Sequence, residues 1–264
     1  MKNLLSLLTI SFFCQQLYAQ IVCSAPYSAE EISSSRNAIW VLGQSDEKGR
    51  GVFKLENGTW FFYDQPQAIN LSATNNNEPL VINNNKELFI FRGTWQQIGS
   101  NISKVIGSKN SGNIWAIRDN NLKFYRNNNW YDSSYDAMYI SDIAEDQSGN
   151  LYALNNTGYV FKAVGSAWQI MGNKKGEAIN AGYQGEILLI SNEMQNNGNN
   201  VYINTNGSWS LYPEQAKKIS TGLNQVVYFI DNLGVLYSMR GGVKKKITID
   251  KIVHRLEVHL PLVK

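Results

Sequence analysis

The chain has 264 residues, of which 43% are apolar and 17% charged, and a formal net charge of +3. This is enough apolar material for a sizeable core and too little charge for a disordered polymer. Its basic residues are scattered except for Lys244, Lys245 and Lys246, so the dense basic face of a nucleic-acid-binding protein is missing, and no nucleic-acid partner is expected.

In chain order, the first segment is "MKNLLSLLTISFFCQQLYAQ", with one lysine, an apolar stretch over 4–13 and a small Ala19. It predicts a secretory signal peptide over residues 1–19 and a secreted product, extracellular or, in a bacterium, periplasmic. The apolar stretch is too short to span a bilayer, and no other segment approaches 18 apolar residues, so no membrane span is expected. Cys14 leaves with the signal and Cys23 stays alone, which excludes an intrachain disulfide and a Cys-rich zinc site. Val22 is larger than the small residue expected before a lipidated cysteine. Residues 20–28 form a short N-terminal segment.

From residue 29 onward the sequence repeats itself. "GNIWAIRDNNLKFYRNNNW" (112–130) aligns with "EPLVINNNKELFIFRGTW" (78–95) and "GNLYALNNTGYVFKAVGSAW" (149–168). The shared pattern is an apolar strand, a polar turn, a second apolar strand, another turn and a tryptophan. Looser copies occupy 37–60, 185–209 and 224–243, the last with Val243 in the tryptophan's place. The closing tryptophans Trp60, Trp95, Trp130, Trp168 and Trp209 are spaced by 35, 35, 38 and 41 residues. A further alternating segment precedes each copy: 29–35, 68–74, 103–109, 140–146, 177–183 and 217–223. Four short strands in units of 34–41 residues predict an all-β, six-bladed β-propeller over 29–249, with four antiparallel strands per blade. Residues 250–264 form a C-terminal strand or tail. Within it "RLEVHL" (255–260) alternates as a strand would, to pair with 20–24 or to add an edge to the last blade.

The third unit resembles the tectonin-type propeller repeat through Gly112, Ile114, Trp115, Phe124, Tyr125, Arg126 and Trp130. Phe91, Arg92, Trp95 and Ile98 of the second unit are similar. The likeness spans roughly 29–249 and is close in units two to four. Leu80, Leu188 and Val227 depart from it where tryptophan is usual. The stretch "AEDQSGNLYALNNTG" (144–158) also resembles repeats in the propellers of bacterial two-component sensors, which commonly have more blades and continue into a membrane helix. The tectonin resemblance implies a secreted lectin that binds glycans, including microbial surface sugars, through loops repeated from blade to blade. Other members act in protein contacts, so the alternative is an extracellular or periplasmic interaction scaffold.

The repeated tryptophans fit best as packing between neighbouring sheets. Ligand-binding candidates are instead the polar turns between the second and third strands of each unit, at 45–51, 83–86, 118–121, 155–158, 191–200 and 231–234. The residues singled out are Asn83, Asn84, Arg118, Asp119, Asn120, Asn155, Asn156, Asp231 and Asn232, whose amide, guanidinium and carboxylate groups could bond sugar hydroxyls. Weak sites repeated around a ring would gain avidity for a repeated glycan. The same residue types also form tight turns with no ligand. His254 and His259 fall on opposite faces of a strand and cannot share a metal. No catalytic motif occurs, so neither catalysis nor a cofactor or metal is expected, although Glu145 and Asp146 could reach a central channel. Of five N-x-S/T triplets, those at Asn57 and Asn206 lie in turns and are the best glycosylation acceptors in a eukaryotic source.

Overall fold

The computed structural model describes residues 28–44, 50–63, 68–110, 112–135, 138–248 and 252–254, which contain strands and turns and no helix. The chain builds successive four-stranded antiparallel units, each holding one repeat. Blade one consists of β1 (Ala29–Ser34), β2 (Ile39–Gln44), β3 (Arg50–Glu56) and β4 (Thr59–Tyr63). Blade two has β5 (Ala68–Ala73), β6 (Pro79–Asn83), β7 (Leu88–Phe91) and β8 (Trp95–Gly99). Blade three has β9 (Ile102–Gly107), β10 (Ile114–Arg118), β11 (Asn121–Arg126) and β12 (Asn129–Asp132). Blade four has β13 (Ile140–Glu145), β14 (Leu151–Asn155), β15 (Tyr159–Val164) and the first part of β16 (Ala167–Ala181). The rest of β16 opens blade five, which continues with β17 (Ile187–Gln195), β18 (Gly198–Thr205) and β19 (Ser208–Ala216). Blade six has β20 (Lys218–Thr221), β21 (Val227–Ile230), β22 (Leu236–Arg240) and β23 (Val243–Ile247). The fold is therefore the expected propeller.

Turn chemistry accounts for the abundant asparagine. Four of the two-residue turns joining third to fourth strands are Asn57-Gly58, Asn127-Asn128, Asn206-Gly207 and Gly241-Gly242, all with φ between 50° and 88°. Tight hairpins need this left-handed backbone, which Gly and Asn reach at low cost. The sequon residues Asn57 and Asn206 sit exposed in two of these turns.

Apolar side chains meet between blades. Trp40, Leu42, Val52 and Tyr63 of blade one pack on Leu71 and Val81 of blade two. Comparable clusters join blades two and three through Leu80, Ile90, Ile114 and Tyr125, blades four and five through Leu154 and Leu189, and blades five and six through Ile190 and Phe229. The outer-strand tryptophans face the preceding blade, as packing residues should. The Trp130 indole N–H donates to the Ile98 carbonyl at 2.6 Å, and that of Trp209 to the Met171 carbonyl at 2.5 Å. Trp130 and Trp209 thus both fill an interface and satisfy a backbone acceptor on the preceding blade's outer strand.

Register changes the reading of the sixth unit. Tyr125 pairs with Trp130 and Arg126 with Asn129, whereas Met239 pairs with Lys244 and Arg240 with Val243. Lys244, not Val243, therefore stands at the tryptophan position. Its ammonium lies 4.4 Å from the Tyr237 ring centre and 5.0 Å from that of Phe229, and it reaches Glu214 of blade five at 2.7 Å. A cation over a stacked ring pair does the indole's work of joining adjacent blades.

Blade six closes against blade one, with Ile230 and Leu236 packed on Ile32, Val41 and Trp60. The Trp60 N–H donates to the Thr248 carbonyl at 2.9 Å, repeating at the junction the bond made by Trp130 and Trp209. A last strand, β24 (Ile252–His254), adds to the outer edge of blade one in parallel with β4. The pairing expected of 255–260, with 20–24 or with the last blade, falls outside the described residues. Blade one's edge carries unpaired backbone groups that β24 satisfies. The predicted strand 255–260, His259, the signal segment 1–19 and residues 20–27 lie outside the described residues.

Candidate functional site

Two places on the ring bring chemistry-bearing side chains together: the axis, and the face carrying the turns between second and third strands. The axis is lined by the first strand of every blade, through β1, β5, β9, β13, the end of β16 and β20. Its charged residues are partnered. Lys218 meets Glu31 at 3.0 Å, and Lys104 meets Asp142 at 3.0 Å. Burial opposes the charge on Lys104, but Asp142 and Glu31 outweigh it and hold its pKa above the usual value. The other Asp142 oxygen accepts the Ile179 N–H of blade five at 3.0 Å.

At the far mouth, Lys109 of blade three reaches across the axis. Its ammonium donates to the Ala181 carbonyl of blade five and, at 2.8 Å, to the Thr221 hydroxyl of blade six. It also lies 5.1 Å from the Tyr183 ring centre. Burial lowers its pKa to about 8, against the pull of Glu186, Asp146 and Glu145. Glu145 does reach this region, as its place in the sequence allowed, but it accepts the Ser108 hydroxyl at 2.5 Å and the Trp115 N–H at 2.7 Å. Burial raises its pKa despite both bonds. Asp146 accepts from Asn150 and from the Tyr152 hydroxyl, so it fixes its own turn. The axial cavity is about 80 Å3. At roughly 30 Å3 per water it holds two or three waters and no sugar or metabolite. Among the described residues no three His, Cys, Asp or Glu side chains are grouped to hold a metal.

On the opposite face, most of the turn residues singled out from sequence are committed to the backbone. The Asn83 side-chain oxygen accepts the N–H groups of Asn85 and Glu87, and its amide donates to Glu87. Asn155 accepts from Thr157 and Tyr159, and Asp231 from Leu233 and Val235. These three close their own turns. Asn84 lies in the Asn83 turn. Asn232 is tied through its N–H to the Asn197 carbonyl of the neighbouring blade. Residues 191–200, expected as a loop, instead extend the β17–β18 hairpin, with Met194 paired to Asn199. Residues 45–49 lie outside the described residues.

Arg118 alternates with Ile114 and Ala116, which pack toward blade two, so its guanidinium also lies on that side. It sits 5.6 Å from the Trp130 ring centre and 3.8 Å from the Asp119 carboxylate. Asp119 and Asn120 make the turn itself, with φ of 51° and 62°.

Asn120 also borders a groove of about 490 Å3 between blades three and four. That volume lies within the roughly 300–1,000 Å3 typical of small-molecule sites. It is lined by Asn120, Asn121 and Leu122, by Asp132, Ser133 and Tyr135 after them in blade three's outer edge and link, and by Met138, Tyr139 and Ile140 leading into blade four. Asn156 lies beside Tyr139, to whose carbonyl its N–H donates at 3.0 Å. Tyr139 is 77% exposed. Tyr135 continues inward to Trp168 and Trp115, at ring-centre distances of 5.1 and 6.3 Å. Ser133 accepts the Tyr135 N–H at 3.1 Å, leaving its own proton to donate. No hydrogen bond within the described residues holds the Asn120 side-chain amide.

Of the residues expected from sequence, this groove uses Asn120, with Asp119 and Asn156 beside it. Asp132, Ser133, Tyr135, Met138 and Tyr139 were missed. Their signal was the length of the link from blade three to blade four, residues 133–139, where other links are shorter or absent.

No protein-family model matches the chain, and no curated protein matches it in sequence. Solved structures do match in fold. The gluconolactonase XC5397 of Xanthomonas campestris superposes with a TM-score of 0.58 at 12% identity, covering 83% of this chain and 87% of that one. The SapL1 lectin in complex with alpha methyl fucoside gives 0.57 at 12%, covering 85% and 96%. YCF48 bound to D1 peptide gives 0.54 at 14%, covering 90% and 86%. One fold thus serves an enzyme, a lectin and a peptide-binding protein, and the function of this chain has to be argued from its side chains.

Proposed function

We propose that this chain is a secreted, non-catalytic propeller of the tectonin type that binds glycans, acting outside the cell or in a bacterial periplasm. The observation that carries the reading is the groove between blades three and four. It sets an exposed tyrosine and a methionine beside uncommitted amide and hydroxyl groups, the combination that recognises a pyranose through its apolar face and its hydroxyls. The lectin among the structural neighbours supports the reading at the level of fold. The axis offers a competing site little room, since its cavity takes only a few waters and its charges are paired.

The turn side chains that sequence offered as repeated sites mostly hold their own backbone, so the proposal rests on this groove and not on avidity around the ring. The test is a glycan array on the mature protein, followed by the same array on Tyr139→Ala. Tyr139 is exposed, so its removal should leave the melting temperature unchanged while binding falls at least about tenfold, as for loss of a stacking aromatic. Binding unaffected by the variant would contradict the proposal.

A protein ligand on the same face is the second reading. Met194, on the β17–β18 arm, and Leu233, in the blade-six turn bonded to that arm, are 74% and 82% exposed. Captured partners that withstand competition by sugar would favour it.

A further inference from the structure

We infer that the groove between blades three and four selects neutral sugars and rejects acidic ones; this rests on the glycan reading of the same groove. Among the described residues its lining contains one charged residue, Asp132, and no lysine, arginine or histidine. The link over 133–139 likewise contains no basic residue. The neighbouring cations are already paired. Lys123 donates to the groove-lining Asp132 at 2.6 Å. The Arg118 guanidinium lies over Trp130 on the blade-two side of β10, away from the groove.

A uronate or sugar phosphate entering the groove would lose water from its anionic group and find no cation in return. The neighbouring cations Lys123 and Arg118 are already paired with Asp132 and Asp119. Desolvation of a charge without a partner opposes binding. A neutral hexose has no such charge to desolvate. Its hydroxyls donate and accept, matching the Asn120 amide, the side-chain oxygen of Asn121, whose nitrogen already donates to the Asp119 carbonyl, the Ser133 hydroxyl and the two tyrosine hydroxyls.

The test compares the methyl glycosides of glucose, galactose, mannose and fucose with methyl glucuronide and methyl galacturonide by calorimetry. Wild type, Tyr139→Ala and Asn121→Lys are used, the last placing a cation on the groove wall. Neutral glycosides should bind at least about tenfold more tightly than uronides, Tyr139→Ala should weaken them, and Asn121→Lys should narrow the ratio to below about threefold. Uronides binding as tightly as neutral sugars, with that binding lost in Tyr139→Ala, would overturn the selectivity and leave the glycan groove standing. No binding of either class would overturn both. An unchanged ratio in Asn121→Lys would show that wall charge does not set the preference.

Discussion

Replacing Lys109 with methionine should change how the stability of the ring responds to pH. The ammonium links blade three to blades five and six, and burial lowers its pKa to about 8 from an ordinary 10.5. Between those values the unfolded chain holds a proton that the folded chain has released, so stability rises with pH across the window. Below about 8 both states are protonated, and the cost of keeping the charge in the axis is constant. The gap between the two values corresponds to at most about 3 kcal/mol. Lys109 is only part-buried, so solvent at the mouth reduces this to about 2 kcal/mol. Methionine keeps the stem's packing and carries no proton. Tyrosines away from the substitution, such as Tyr212, whose burial raises its pKa, are common to both chains and cancel in the comparison. Urea midpoints at several pH values from 7 to 10 measure the difference. The natural chain should gain about 2 kcal/mol on Lys109→Met over that range. A difference flat to within about 0.5 kcal/mol would refute a charge held at a cost in the axis.

Three further outcomes follow from the packing. Trp60→Phe removes the N–H donated to the Thr248 carbonyl and part of the buried ring, so urea denaturation should show a loss of about 2 kcal/mol; a loss below about 0.5 kcal/mol would remove Trp60 from ring closure. Gly107→Ala places a Cβ 2.4 Å from the Ala73 carbonyl oxygen and 2.6 Å from the Thr74 Cα, both backbone atoms of blade two, and should lower stability by about 2 kcal/mol or more in a thermal melt. Lys244→Met should cost under about 1 kcal/mol, and the gap to wild type should shrink in high salt, because the ion pair with Glu214 is largely solvated.

The blades were legible because their strands alternate and their turns use Asn and Gly. One tryptophan per unit also marked the same interface each time. Lys244 was hidden because Val243 is the apolar residue beside the expected place; both units turn on two residues, so setting Arg240 against Arg126 puts Lys244 where Trp130 stands. The turn candidates could be read two ways, since the atoms that make Asn83, Asn155 and Asp231 attractive to a sugar also make them good turn formers. The groove was the least legible feature. Tyr135 and Tyr139 belong to no repeat, and what makes them a candidate site is the length of the link that carries them over a gap between two blades. The position of β24 was equally out of reach, because alternation predicts a strand without naming its partner.

Chemical-shift mapping on the nitrogen-labelled chain, titrated with its best neutral glycan, tests the central claim most directly. Shifts concentrated on Asn120, Asn121, Leu122, Ser133, Tyr135, Met138 and Tyr139 are the expected result. Shifts centred on Lys109 and Tyr183 at the axial mouth, or spread evenly over the turns of all blades, would contradict it.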